Sequence, residues 1–180
     1  MDNDILKVLY SQNEIKEACE RLGKQIQKEY EGKTPVVIGV LKGAVFFMAD
    51  IVRAADTYMQ MDFIDVSSYH GGTKSSGEVE LVTDITLDAA GRDVLIIEDI
   101  VDTGQTLKFL MDTFANRGAN SIKVCTLLDK PAGRLVEANS DFIGFEVPNE
   151  FVVGYGLDYD EKYRNLPYIG VLKPKIYSHN

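Results

Sequence analysis

Cations are scarce in this 180-residue chain, where 19 Lys and Arg face 28 Asp and Glu for a formal net charge of −9. Nucleic-acid-binding domains carry a basic footprint, so this balance argues against a polyanion as partner. Cysteine is scarce too. Cys19 and Cys125 sit far apart in apolar patterns, with no C-x-x-C pair and no histidine at metal-ligand spacing, which leaves reduced structural thiols. Neither His70 nor His179 gains a role beyond loop and tail. No apolar run nears the ~18 residues of a membrane-spanning helix. The opening Met-Asp-Asn-Asp lacks the positive n-region of a signal peptide, so a cytoplasmic address with no membrane partner is expected. With 45% hydrophobic and 26% charged residues, the chain suits one folded domain able to bury a sizeable core.

What is present is ordered in a repeating grammar. Ser11-Gln12-Asn13-Glu14 has the form of a capping box, and Ile15, Ala18, Cys19, Leu22 and Ile26 follow at helical spacing until Gly32. This predicts an amphipathic helix at the periphery. Residues 35–41 (PVVIGVL) are a short β-branched run typical of a strand buried on both faces, followed by a helical stretch at 44–55. The pattern returns as a strand at 93–97, a helix at 105–117 and a strand at 122–128. Strands alternating with helices indicate an α/β fold with a mainly parallel sheet, which places its ligand beyond the carboxyl ends of the strands. Residues 61–66 read as a further strand, and 67–78 (SSYHGGTKSSGE) as a long mobile loop. The C-terminal third holds short strand-like pieces at 142–147, 151–154 and 169–172, which suggest an appended lobe.

Two motifs mislead. Gly32-Lys33-Thr34 lacks the first glycine of a P-loop, since Gln27 stands there, and it precedes a strand. Gly154-x-Gly156 has Tyr159 in place of the third glycine of a dinucleotide fingerprint. The informative stretch is residues 94–107, VLIIEDIVDTGQTL. Its strand delivers Glu98 and Asp99 to the sheet edge, where neighbouring carboxylates accept hydrogen bonds from vicinal hydroxyls or hold a hydrated divalent ion. Residues 102–106 then offer a glycine, two threonine hydroxyls and the N–H groups of a helix N-terminus, an anion cradle suited to a phosphate monoester. A diol site and a phosphate site this close in sequence describe a ribose 5-phosphate with C1 free to react.

VLIIEDIVDTGQT resembles the signature with which phosphoribosyltransferases bind 5-phosphoribosyl-1-pyrophosphate (PRPP). The likeness is to the type I fold, a mainly parallel sheet flanked by helices with a small hood, and within it to the bacterial branch acting on hypoxanthine and guanine. Leu41-Lys42-Gly43, Ser68-Tyr69, Lys130 and FVVGYGLDY at 151–159 follow in the order expected of that branch. The resemblance implies a single domain over 1–180, with the hood drawn from the N-terminal segment and roughly 130–180, and a catalytic loop at about 67–78.

The resemblance also assigns roles. Alone, Asp102 reads as a helix N-cap; in the motif it exchanges a proton with N7 of a 6-oxopurine. Glu98 and Asp99 resemble the ribose-diol and metal-linked pair, and Asp158 a second Mg²⁺ contact beside the purine. Thr103, Gly104, Gln105 and Thr106 resemble the 5′-phosphate loop, with Gln105 where many relatives carry Lys. Lys42 and Gly43 resemble the pyrophosphate-binding turn after a bond, Leu41-Lys42, that is often cis. Arg164 resembles a pyrophosphate-binding guanidinium, Lys130 the donor to purine O6, Phe151 the ring stacked on the base with Val152 reading its edge, and Ser68 and Tyr69 the tip of the lid. The implied reaction is Mg²⁺-dependent transfer of ribose 5-phosphate to hypoxanthine or guanine, releasing pyrophosphate, in a homo-dimer or homo-tetramer that binds no nucleic acid. A xanthine-preferring transferase and a PRPP-sensing, RNA-binding regulator on the same fold remain open alternatives.

Overall fold

In a computed structural model, which describes residues 1–68 and 78–178, a six-stranded sheet forms the centre of the chain. The strands are β2 (Val36–Leu41), β3 (Gln60–Ser68), β4 (Val79–Thr83), β5 (Asp93–Val101), β6 (Ser121–Asp129) and β7 (Phe142–Glu146), in the order β4-β3-β2-β5-β6-β7. All neighbours are parallel except β3 and β4. A second sheet joins β1 (Ile5–Tyr10), β9 (Ile169–Leu172) and β8 (Val152–Val153), with antiparallel pairing.

Side-chain alternation assigns the two faces of the large sheet. Leu95 and Ile97 of β5 pack beneath α1 (Gln12–Glu29) and α2 (Val45–Ala54), while Val94 and Ile96 pack against Leu107, Leu110 and Phe114 of α3 (Gln105–Asn116). The Ser11 capping box opens α1 as its sequence predicts. The helix lies on the outside of the sheet with one face exposed, its apolar stripe turned inward so that Leu22 and Ile26 are fully buried.

Three expectations change. The strand at 93–97 continues to Val101, since Glu98, Ile100 and Val101 stay in register with Thr126, Leu128 and Asp129 of β6. The three short C-terminal strands do not share one lobe. Asp141 Oδ2 accepts the Val124 N–H at 2.9 Å and Arg21 of α1 donates to the Gly144 carbonyl at 2.8 Å, seating β7 on the edge of the large sheet. Only β8 and β9 join β1 in the small one. The loop expected at 67–78 begins later than its polarity suggests, because Ser67 and Ser68 pair with Glu80 and Val79. Residues 69–77, Tyr69 among them, lie outside the described residues.

From β2 the chain moves to β3 on one side and returns to β5 on the other. The gap beyond the carboxyl ends of β2 and β5 is therefore the switch point of the sheet, where open α/β folds bind ligands.

Candidate active site

A cleft of about 280 Å³ opens at that switch point, and its walls include Leu41, Glu98, Asp99, Asp102, Thr103 and Thr106. Glu98 is only 5% exposed, and its Oε1 accepts the Asp99 N–H at 3.1 Å. Burial and the adjacent Asp99 carboxylate push its carboxyl well above the usual range. Asp99 is partly buried, accepts the Ile100 N–H at 2.7 Å and is also pushed upward, chiefly by burial, with the Arg164 charge opposing. The pair is thus set deep, with Asp99 the more available carboxylate.

Gly104 leads from the strand into α3 with φ +86°, a left-handed conformation, and a Cβ there would sit 3.0 Å from Ala138 Cβ and 3.1 Å from the Val136 carbonyl oxygen. Both features call for glycine. The first turn of α3 beyond it leaves backbone N–H groups without helical acceptors, beside the Thr103 and Thr106 that line the cleft. Gln105 does not line the cleft, and its N–H donates to Thr103 Oγ1 at 3.3 Å.

The other predicted residues fall into three groups. Lys130 brings its Nζ to 3.7 Å from Asp102 Oδ2, with 15% of the lysine side chain exposed. The Leu41-Lys42 bond is cis, and Gly43 packs so tightly that a Cβ would overlap Asp99 Oδ2. Arg164 lies 3.4 Å from Asp158 Oδ1 and donates to the Gly156 carbonyl at 2.7 Å. Gly156 in turn abuts Gly43, whose carbonyl oxygen would overlap any Cβ at 156. The pairs Lys42-Gly43 and Asp158-Arg164 are thereby drawn to the same end of the cleft as Asp99. Phe151 is stacked on Tyr177 at 4.8 Å between centroids and is 39% exposed, while Val152 is buried in β8; neither lines the cleft. Ser68 is exposed at the end of β3.

Sequence reasoning missed the supports of Asp102. Arg134 donates through one nitrogen to the Val101 carbonyl at 2.8 Å and the Asp102 carbonyl at 3.0 Å, and through the other to Asp129. Leu135 N–H and Val136 N–H both donate to the Thr103 carbonyl. Gly133 lies against the Asp102 carboxylate, where a Cβ would overlap Oδ1 and come to 2.9 Å from Cγ. No local pattern marks these residues, because each acts on a loop some 30 positions away.

The residues that line this cleft all fall within the reach of the phosphoribosyl transferase domain model. That model matches residues 7–160, and the chain belongs to the phosphoribosyltransferase family, with the type I fold. Its relatives are specific. A hypoxanthine-guanine phosphoribosyltransferase of Streptococcus pneumoniae is 59% identical over 179 residues, which are 99% of each chain. A bifunctional protein TilS/HprT of Listeria monocytogenes is 60% identical over 99% of this chain, which spans only 28% of that longer relative. The solved structure of a hypoxanthine phosphoribosyltransferase from Staphylococcus aureus superposes with a TM-score of 0.95 at 50% identity, covering 99% of this chain and 97% of the other. That of a Trypanosoma cruzi hypoxanthine phosphoribosyl transferase gives 0.91 at 41% identity, covering 96% and 94%.

Proposed function

We propose that the chain is a purine-salvage enzyme that transfers ribose 5-phosphate from PRPP to N9 of hypoxanthine or guanine, yielding IMP or GMP and pyrophosphate. The observation that carries this reading is the approach of Lys130 Nζ to Asp102 Oδ2 at 3.7 Å beside the loop that opens α3. One carboxylate and one ammonium at this spacing suit adjacent N7 and O6 atoms of a 6-oxopurine. Lys has donors and no acceptor, so it favours a carbonyl at position 6 and meets the amino group of adenine with nothing to receive its hydrogens. Unpaired polar groups of this kind are a strong basis for rejection.

The remaining residues divide the sugar phosphate. Thr103, Gly104 and Thr106 hold the 5′-phosphate with hydroxyls and helix N–H groups, with Gln105 completing the loop from outside the cleft, and Glu98 and Asp99 hold the ribose diol. Lys42, Gly43 and Arg164 orient the departing pyrophosphate and meet its growing charge, while Asp102 moves the proton at N7. Phe151 and Val152, which lie beyond the cleft itself, bound the base.

Asp99 and Asp158 are hard oxygen donors suited to Mg²⁺, with Glu98 behind them. Among the described residues no three His, Cys, Asp or Glu side chains stand close enough to cage an ion. That fits Mg²⁺, which is usually held by one or two carboxylates together with substrate phosphates. When bound it supplies charge stabilisation for the leaving group. Two further parts of the reading rest on other support. Assembly as a homo-dimer or homo-tetramer is supported by the Trypanosoma relative, whose C-terminal region has a role in its oligomeric state. A cytoplasmic address is supported by two buried free cysteines.

PRPP-dependent assays against hypoxanthine, guanine, xanthine and adenine in parallel test the proposal. Turnover of the first two is expected; turnover of adenine alone, or of none, would overturn it.

A further inference from the structure

Glu161 has no part in the roles above, yet its carboxylate sits between two of the cations assigned to pyrophosphate. Its Oε2 accepts from Lys42 Nζ at 3.0 Å and its Oε1 from Arg164 at 3.0 Å. Lys42 and Glu161 are both well exposed, with 63% and 64% of their side chains in solvent, so the bridge is not a buried structural tie. Lys42 and Arg164 come from segments 122 positions apart in the chain, and the single carboxylate spans them as two oxygens of a phosphate group would.

The backbone turns tightly at this position. Tyr159 and Lys162 exchange both backbone hydrogen bonds around a two-residue turn, Asp160-Glu161, whose φ values are +53° and +59°. Such turns favour Asn-Gly, and an unbranched but bulky Glu is strained there. The Glu161 N–H donates to Asp158 Oδ2 at 2.9 Å, which ties the turn to Asp158.

We propose that Glu161 is an internal stand-in for the leaving group: its carboxylate occupies Lys42 and Arg164 until pyrophosphate displaces it, and so sets the affinity of that subsite. The inference rests on the reading of Lys42 and Arg164 as pyrophosphate-binding. An exposed ion pair is weak, so the competition is modest and favours release of product.

The test is equilibrium binding of pyrophosphate in the presence of Mg²⁺ to the wild-type chain and to Glu161→Gln, Asp160→Asn and Lys42→Gln. Glu161→Gln is expected to bind about two- to five-fold more tightly. Asp160→Asn removes the same charge one residue away, where the carboxylate pairs with Lys162 at 3.5 Å, and is expected to change binding less. Equal tightening by both variants reduces the effect to net charge and overturns the stand-in, as does unchanged or weaker binding by Glu161→Gln. Lys42→Gln reports on the underlying reading separately. If it binds as the wild type does, Lys42 is no pyrophosphate ligand and that assignment fails, whatever Glu161→Gln shows.

Discussion

Replacing Gly133 by Ala separates the placement of Asp102 from the stability of the fold. Gly133 ends a short 3-10 turn, Pro131–Gly133, and has no positive φ, so alanine suits its backbone. The added methyl would overlap Asp102 Oδ1 and stand 2.9 Å from Cγ, where an ordinary carbon contact is ~3.5–4.0 Å. The obstacle is a movable carboxylate, so the strain is relieved by swinging Asp102 aside by roughly 1 Å or more. A displacement of ~1 Å at a reacting group costs on the order of 10²-fold in rate, about 2.7 kcal/mol. The stability cost is expected to stay under about 1 kcal/mol, a Tm shift below roughly 4 °C for a domain of this size. Steady-state kcat at saturating PRPP and hypoxanthine, together with a thermal melt, reads both quantities. A kcat within twofold of wild type would refute the need for this orientation of Asp102, and a large fall in Tm would refute the idea that the carboxylate absorbs the strain.

Two further outcomes concern a support of the site and a hydrogen-bonded carboxylate near the start of β3. Arg134→Lys keeps the charge but loses the fork that reaches the Val101 and Asp102 carbonyls and Asp129 together. Its kcat is expected to fall by about tenfold, and parity with wild type would show that the loop holds itself. Partial burial pushes the Asp62 carboxyl up, but the N–H groups of Leu87, Phe63 and Thr86 and the Thr86 hydroxyl outweigh it and hold the carboxyl below the usual range. A depressed folded value means the stabilisation is present above the unfolded pKa of about 3.9 and is lost as pH falls through the folded one. Asp62→Asn is therefore expected to be about 1–2 kcal/mol less stable at pH 7, with the gap closing towards pH 3 in urea titrations. A gap that stays constant across that range would count against the assignment.

The parallel core was legible because β2, β5 and β6 carry apolar runs and the helices packed on them are periodic. The site signature was legible because residues 94–107 compress a strand, a turn and a helix start into one stretch. The strand end was misread for a physical reason. Glu98 and Asp99 look like solvent-seeking acids, yet the β5 ladder carries them on to Val101 and their carboxylates accept the next N–H groups along. Strand β1 was not read at all, since its pairing partner β9 lies more than 150 positions away and its Leu6 and Val8 are exposed. The packing of Gly43 on Asp99, Gly133 on Asp102 and Gly156 on Gly43 has no sequence signal either, because it depends on where three separate turns meet.

The most direct measurement compares Asp102→Asn with wild type in two quantities, the single-turnover rate of transfer to hypoxanthine and the dissociation constant of PRPP. Asparagine keeps the size and an acceptor but cannot exchange the proton. The predicted result is a rate lowered by about 10²- to 10⁴-fold with PRPP binding little changed. An unimpaired rate, or a loss matched by equally weakened PRPP binding, would contradict the role of Asp102 as the proton-transfer group of this site.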